Sequence, residues 1–340
     1  MPTFRDTLGH HGVKSLLAGA LARGTLPPTL MLIGPAGVGK HRLGLATAAA
    51  LNCLEPIVGQ NGLAVDACGR CRACDRIARQ VHVDVLTLAP DDNALIKIDV
   101  VRDALDRTGY RPFEGRKRVV IIREADAMQS AAQNALLKSL EEPPPGTIFI
   151  LTTAVPGVLL PTVRSRCMRL RLGRLTEAEL VAVLTRDHEM TDAQARSVAA
   201  LGDGSVGVAL AFGSADLSAV RERALHLLDR AARGPANTRL QAAVPLIVES
   251  PGKDRDRTEV ALAMRVLASM MRDMELLNAK GDDRLLANPL VADELRRLAP
   301  SYRGDRARSA FAALGRAIEA LGPSRNAGVK VVGDWIATQI

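Results

Sequence analysis

Short, mostly apolar runs alternate with amphipathic stretches along the first half of the chain. Such runs are typical of parallel strands that are buried on both faces, while the stretches between them have the spacing of helices. The predicted strands are 29–33, 83–88, 118–122, 148–152 and 167–172, and the predicted helices are 3–24, 39–52, 98–108 and 130–142. The alternation predicts an α/β domain over residues 1–172, with a parallel sheet flanked by helices.

The pattern becomes helical after residue 172. Thr176 and Glu179 have the spacing of a capping box, which predicts a helix start, and a second short helix should follow residues 190–192. We assign 173–213 to a small helical lid domain and 214–340 to an all-α C-terminal domain. Two apolar stripes in that last domain should form helix–helix contacts. They are Val260, Met264, Leu267, Met271 and Met274, and Phe311, Leu314, Ile318 and Leu321.

A glycine-rich loop follows the first predicted strand and opens the next helix. Gly34, Gly37, Gly39 and Lys40 lie in GPAGVGK, which fits the phosphate-loop pattern G-x-x-x-x-G-K. The pattern then requires a serine or threonine hydroxyl for Mg²⁺, but the chain has His41. Imidazole is a poor ligand for this hard cation. We expect a P-loop fold with a damaged metal site, and nucleotide binding at the loop stays open.

The strand 118–122 has a second departure at its carboxyl end. In P-loop ATPases this strand ends in an aspartate that holds Mg²⁺, and a glutamate that activates water often follows. Here Arg123 takes the aspartate position and Glu124 follows it. A guanidinium repels the metal, and without the metal the charge on the transferred phosphoryl group is largely unneutralised. We therefore expect no appreciable ATP hydrolysis by the chain alone.

A cluster of cysteines lies in an irregular insert, residues 53–80. Cys53 is followed by Cys68, Cys71 and Cys74 in a C-x₂-C-x₂-C run. Four thiolates can complete a tetrahedral structural zinc site with no open position for chemistry. Iron–sulfur ligation is a second possibility, although the proline that follows its motif is missing, and reduced structural cysteines are a third.

Composition narrows the class of protein without deciding its function. The 340 residues include 47% hydrophobic and only 2% aromatic residues, so the core must be mainly aliphatic. The N-terminal sequence lacks a signal-peptide pattern and no apolar run matches a membrane span, which predicts a cytoplasmic protein without a membrane partner. The net charge of +8 suits a polyanionic partner such as DNA, or a solvated arginine-rich surface.

Four segments together resemble bacterial clamp-loader subunits of DNA polymerase III, which are AAA+ proteins. They are GPAGVGK, the cysteine cluster, NALLKSLEEPP at 134–144 and TVRSRC at 162–167. The resemblance is strong over roughly 26–172, is greatest to the delta-prime type, and is thin in the C-terminal third. It implies that the C-terminal domain is a collar in a hetero-pentameric ring with gamma/tau and delta subunits. Such a ring loads a sliding clamp onto primed DNA.

The resemblance also implies roles for individual residues. In the motif Ser165-Arg166-Cys167, Arg166 would act in trans as an arginine finger on the ATP of a neighbouring subunit. The cysteine cluster would hold zinc. Active relatives carry a lid arginine that contacts their own nucleotide, and the comparable position here is Gly207 or Val208. These features favour a non-hydrolysing, static subunit.

Two other classes of protein stay open. One is an active AAA+ ATPase of the gamma/tau type, against which His41, Arg123 and the missing lid arginine argue. The other is a zinc-bearing DNA-binding protein with no ring partners, which the basic charge allows but no recognition-helix motif supports.

Overall fold

The computed structural model describes residues 1–60, 62–91, 93–214, 216–250, 253–322 and 327–340. These residues form two compact units. Unit 1 comprises Met1–Glu189 with Gly204–Gly207, and unit 2 comprises Met190–Asp203 with Val208–Ile340. The domain boundaries at 172 and 213 stay predictions.

Unit 1 is built on a parallel sheet with helices around it. Its elements are α1 His11–Ala22, β1 Thr29–Ile33, α2 Lys40–Asn52, β2 Ile57–Val58, β3 Ala64–Asp66, α3 Arg72–Ala78, β4 Val85–Leu88, α4 Ile98–Thr108, β5 Arg118–Ile122, α5 Ser130–Glu141, β6 Thr147–Thr153, α6 Pro161–Ser165, β7 Met168–Arg171 and α7 Glu177–His188. The five-stranded sheet has the order β4-β5-β6-β1-β7, and all its pairs are parallel. The predicted α/β architecture is confirmed.

The sheet explains the apolar runs in the sequence. Every residue of the central strands β5 and β6 is buried, as expected where helices cover both faces. The edge strand β7 alternates, with Leu170 buried and Arg169 and Arg171 exposed. Because β6 lies between β1 and β5, the loops after all three strands meet at one edge of the sheet, where open α/β sheets bind ligands.

The N-terminal helix starts later than predicted. Helix α1 begins at His11, so the prediction of a helix from residue 3 is wrong for the first eight residues. Gly9 and His10 have φ values of 69° and 52°, a left-handed conformation that ends helical geometry. The residues before them fold onto the cysteine insert instead, where the Phe4 N–H donates to Asp66 Oδ1 over 2.9 Å.

The insert has more regular structure than the sequence suggested. Strands β2 and β3 form an antiparallel hairpin, and α3 follows at Arg72. Asp66 ends this hairpin and is buried, and it also pairs with Arg5 at 3.3 Å. The hairpin and the N-terminal segment therefore stabilise each other.

Unit 2 is mostly helical. Its elements are α8 Asp192–Gly202, α9 Val206–Ser214, of which the first two residues belong to unit 1, α10 Leu217–Arg233, α11 Ala236–Ile247, β8 Val248–Ser250, β9 Lys253–Asp254, α12 Arg257–Asn278, α13 Ala292–Leu298, α14 Asp305–Ala320 and α15 Val329–Gln339. The antiparallel hairpin β8–β9 corrects the expectation of helix throughout this part. The sequence signal for it was the Pro-Gly pair at 251–252, a common turn dipeptide.

The two apolar stripes predicted for unit 2 differ in how well they agree with the structure. All five residues of the α12 stripe are buried, which confirms the first stripe. In α14 the side chain of Phe311 is 52% exposed, so the second stripe is wrong at its first residue. The buried face of α14 follows small residues one position away, and α12 packs closely against that face. These residues are Ala307, Ala310, Ala313 and Ala317, and Leu314 of the predicted stripe is buried with them.

The described residues contain no helix with both the length and the apolar character that crossing a bilayer requires.

Candidate functional site

The phosphate loop connects β1 to α2 and has the backbone conformation that its glycines allow. Gly37 and Gly39 have φ values of 73° and 99°, and Gly39 caps the N-terminus of α2. The Lys40 ammonium is folded back onto the loop and donates to the carbonyl oxygens of Gly34 and Pro35, both over 2.7 Å. The lysine therefore holds the loop closed on itself in this state.

The segment Gly204–Gly207 lies directly against the phosphate loop. The Ser205 hydroxyl donates to the Ala36 carbonyl over 2.8 Å, and the Val206 N–H donates to the Gly37 carbonyl over 3.0 Å. A Cβ atom at Gly37 would lie only 2.2 Å from the Ser205 hydroxyl oxygen, so this contact requires glycine. Gly207, one of the two positions that could have carried a lid arginine, is thus next to the loop, and its N–H donates to the Gly37 carbonyl over 3.4 Å.

Lys40 is buried, and desolvation lowers its pKa. The charges of Asp126 and Glu124 act in the opposite direction, and Asp126 has the larger effect. Asp126 Oδ1 is buried without a hydrogen-bond partner. The sequence prediction did not include this residue in the site. The signal available was its place three residues after Arg123, in the acidic turn at the same edge of the sheet.

His41 and Arg123 come together at the position where the fold would hold a metal. Burial, followed by the positive charge of Arg123, lowers the pKa of His41 to about 4. The imidazole is therefore neutral at pH 7, and both ring nitrogens are shielded from solvent, with the Gln80 side chain acting to raise the pKa. Arg123 Nη2 lies 4.0 Å from Glu124 Oε1, which draws the remaining carboxylate toward a cation. This arrangement does not offer the oxygen ligands that Mg²⁺ requires.

Acidification is expected to destabilise the protein through His41. The unfolded value is near 6.5 and the folded pKa is about 4, so the unfolded chain takes up the proton first as the pH falls. Between pH 7.5 and pH 4.5 this histidine should remove about 2.5 kcal/mol of folding free energy. Urea unfolding of wild type and His41→Asn at both pH values gives the measurement. The pH dependence should be smaller in the variant by this amount, and equal dependence would contradict the burial of a neutral imidazole.

The four predicted cysteines form a compact group. The Sγ atoms of Cys53, Cys68, Cys71 and Cys74 all lie within 4.8 Å of one another. Sγ–Sγ distances are 3.9 Å for Cys53–Cys71, 4.0 Å for Cys68–Cys74 and 3.7 Å for Cys53–Cys74. A tetrahedral ion with metal–sulfur bonds of about 2.3 Å needs sulfurs about 3.8 Å apart. The group therefore fits a metal ion held by four thiolates.

The surroundings of the thiols differ within the group. Burial raises the pKa of Cys53 and of Cys74. For Cys71, burial is outweighed by hydrogen bonds from the backbone of Cys74 and Leu54 and from neighbouring thiols, and its pKa is about 6. Cys167 lies outside the group, and burial raises its pKa to about 11. One thiol of the cluster is thus ready to bind a cation at neutral pH.

Arg166 comes directly after α6 in the chain. It lies at the amino end of β1, opposite to the end that leads into the phosphate loop. Its carbonyl accepts from the Thr29 hydroxyl over 2.6 Å, at the amino end of the strand, whereas the phosphate loop begins at the carboxyl end. Its guanidinium donates to Glu141 Oε2 and to the Thr162 carbonyl, each over 3.0 Å. The neighbouring Ser165 is exposed and donates to the same carbonyl over 3.1 Å. The structure thus keeps Arg166 away from the chain's own phosphate loop.

The first half of the chain is similar to known proteins. The family described as DNA polymerase III, delta subunit, matches residues 9–176. The DNA polymerase III subunit delta' of Pseudomonas aeruginosa is 41% identical over 140 residues, which is 41% of this chain and 41% of that protein. The chain belongs to the DNA polymerase III clamp-loader subunit family.

Other members of this family show how far the similarity extends. The DNA polymerase III subunit tau of Escherichia coli is 33% identical over 190 residues, 55% of this chain and 28% of that protein. The matches thus span less than half the length of these two relatives. A solved structure of a gamma subunit-related protein of Thermotoga maritima covers 95% of this chain and 97% of its own, with 16% identity and a TM-score of 0.43, too low to bear on function.

Proposed function

We propose that the chain is the static, delta-prime type subunit of a clamp loader, with a structural zinc ion and no ATP hydrolysis of its own. It would assemble with gamma/tau and delta subunits, which use ATP to place a sliding clamp on primed DNA. The P. aeruginosa relative named subunit delta' supports the subunit type. The charge at the phosphate loop supports the absence of hydrolysis.

The observation that carries the proposal is the pair His41 and Arg123. Phosphoryl transfer needs Mg²⁺ to neutralise the charge that develops on the phosphate oxygens. Here a neutral, half-buried imidazole and a guanidinium stand at the two metal positions, and Lys40 is bonded to the loop itself. The loop would serve to hold the Gly204–Gly207 segment, with or without a bound nucleotide.

We propose that Arg166 acts on a neighbouring subunit's ATP. Its position at the amino end of β1 supports action in trans, because it cannot serve the loop at the opposite end of that strand. Glu141 holds the guanidinium on the surface in the free chain. The collar role of the C-terminal helices and the partners of the ring follow from the family alone.

We expect the isolated chain to show no ATP turnover that depends on Lys40. Any phosphate release should be the same in wild type and in Lys40→Ala. The measurement is phosphate release with excess Mg²⁺, and Lys40→Ala controls for a contaminating ATPase. The double variant His41→Thr/Arg123→Asp should gain Mg²⁺-dependent ATP binding, because it restores two oxygen ligands. Wild-type turnover that is lost on Lys40→Ala would contradict the proposal.

The runner-up function is an active gamma/tau-type ATPase. The 33% identity to E. coli tau over 190 residues favours it. The two candidates differ in the assembly they form, so the chain is mixed with gamma and delta subunits and separated by size exclusion. A complex that contains gamma and one copy of this chain supports the static role. A complex that forms with delta subunits alone, with this chain in several copies, supports the runner-up.

A further inference from the structure

A second basic site lies at the start of the phosphate loop, between the ends of β1 and β7. A cavity of about 350 Å³ opens beside Gly34 and Pro156 and is lined by three arginines, Arg164, Arg169 and Arg171. This volume is at the small end of the range of ligand pockets, about 300 Å³ and above. The function proposed above uses none of these three side chains.

The edge of the sheet brings the arginines together. Arg169 and Arg171 lie on either side of the buried Leu170 on β7, so both side chains point to the same face of the strand. They pair in register with Met31 and Ile33 of β1. Arg164, on α6, is the third arginine that lines the cavity. Three like charges that line one cavity repel one another, and an anion bound there would offset this cost.

The three arginines have no acidic partner among the residues that the structure describes. Arg164 also keeps its Nε atom buried without a hydrogen-bond partner. Three other arginines of unit 1 leave Nε unpaired, but each has a carboxylate partner: Arg118 binds Asp84 at 2.8 Å, Arg42 binds Asp187 at 2.9 Å and Arg166 binds Glu141 at 3.0 Å. Buried donors without a partner are uncommon and indicate a missing acceptor.

We propose that Arg164, Arg169 and Arg171 form a phosphate-binding site that lies beside the phosphate loop and does not use Lys40. Guanidinium groups bind phosphate oxygens through paired N–H donors, and a small cavity with arginines suits a terminal phosphate or pyrophosphate group. The site does not need Mg²⁺, because the protein supplies the positive charge. Arg166, which is paired with Glu141, is not part of it.

A phosphate group of this kind can come from a nucleotide or from the end of a nucleic acid strand. The experiment therefore starts with inorganic pyrophosphate and the full-length protein in buffer without Mg²⁺, measured by titration calorimetry. Arg169→Ala/Arg171→Ala should weaken binding at least tenfold. Lys40→Ala tests whether pyrophosphate binds at the phosphate loop instead, and this variant should still bind it. Arg79→Ala/Arg116→Ala removes the same charge from two exposed sites and should leave binding unchanged.

Other outcomes overturn the proposal. These are no binding of pyrophosphate, equal weakening in the Arg79→Ala/Arg116→Ala control, or loss of binding in Lys40→Ala alone. Arg164→Lys keeps the charge but loses the paired donors, so it should weaken binding while circular dichroism shows an unchanged fold. Competition then identifies the source: displacement of pyrophosphate by ATP indicates a nucleotide, and displacement by a 5′-phosphorylated oligonucleotide, but not by its 5′-hydroxyl form, indicates a strand end.

Discussion

Replacing Cys74 with alanine is expected to abolish metal binding and to unfold the insert. Three remaining thiolates cannot complete a tetrahedral site, and structural zinc contributes about 10 kcal/mol or more to folding in small zinc domains. Cys53 and Cys74 are also part of the unit 1 core, so the loss spreads beyond the insert. We expect wild type to hold one zinc ion per chain by elemental analysis, and the variant to hold none.

The thermal midpoint of this variant should fall by about 10 °C or more, as expected for a loss of several kcal/mol in a domain of this size. Cys167→Ala is the matched control, because Cys167 is equally buried in the same unit but lies outside the four-cysteine group. It should keep one zinc ion. Full zinc content in Cys74→Ala, or a metal-free wild type with an unchanged midpoint, would rule out the structural ion.

Arg166→Ala should slow ATP hydrolysis at one interface of the assembled clamp loader by about a thousandfold or more. An arginine finger supplies positive charge to the transition state of phosphoryl transfer, and its loss costs 10³-fold to 10⁵-fold at the site it serves, in round numbers. The total rate of a ring with several ATP sites falls less, so single-turnover kinetics are the measurement. Assembly should be intact by size exclusion.

A matched set of variants separates the finger from other roles of this residue. Arg166→Lys keeps a charge but not the planar fork, and it should recover only part of the rate. Arg116→Ala removes an exposed arginine elsewhere in unit 1 and should have no effect. If Arg166→Ala prevents assembly, the residue is structural, and if the rate is unchanged, the finger comes from another subunit.

Much of the fold could be predicted because its signals are local. Strands β1 and β5 and helix α4 have the predicted bounds, and Thr176 and Glu179 form the predicted capping box. The failures came where tertiary contacts override local pattern. Residues 3–10 satisfy a helical spacing but are held by Asp66, which is far along the chain. Alanines form the buried face of α14, and an alanine stripe is hard to recognise because alanine occurs on both faces of helices.

The candidate sites, like the fold, could be predicted from the sequence only where their signals are local. The glycine loop, the cysteines and the change at Arg123 are short motifs whose chemistry depends on residue type and spacing, so the sequence located them. Asp126 beside Lys40, the Ser205 contact with Ala36 and the arginine-lined cavity were not predicted. Ser205 and Ala36 are 169 residues apart, and only folding brings them together. The cavity depends on the edge position of β7, which a strand pattern alone does not give.

The contact between Arg166 and Glu141 affects the free-energy cost of moving the Arg166 guanidinium onto a partner. The pair is partly open to solvent, so breaking it costs little, about 1 kcal/mol or less. Yet the contact restricts a flexible side chain before any partner arrives, and immobilising such a chain on docking would otherwise cost about 0.5–1.5 kcal/mol of entropy. Under the proposed function, the subunit would enter the ring with this guanidinium preorganised, and docking would only exchange one carboxylate for a phosphate.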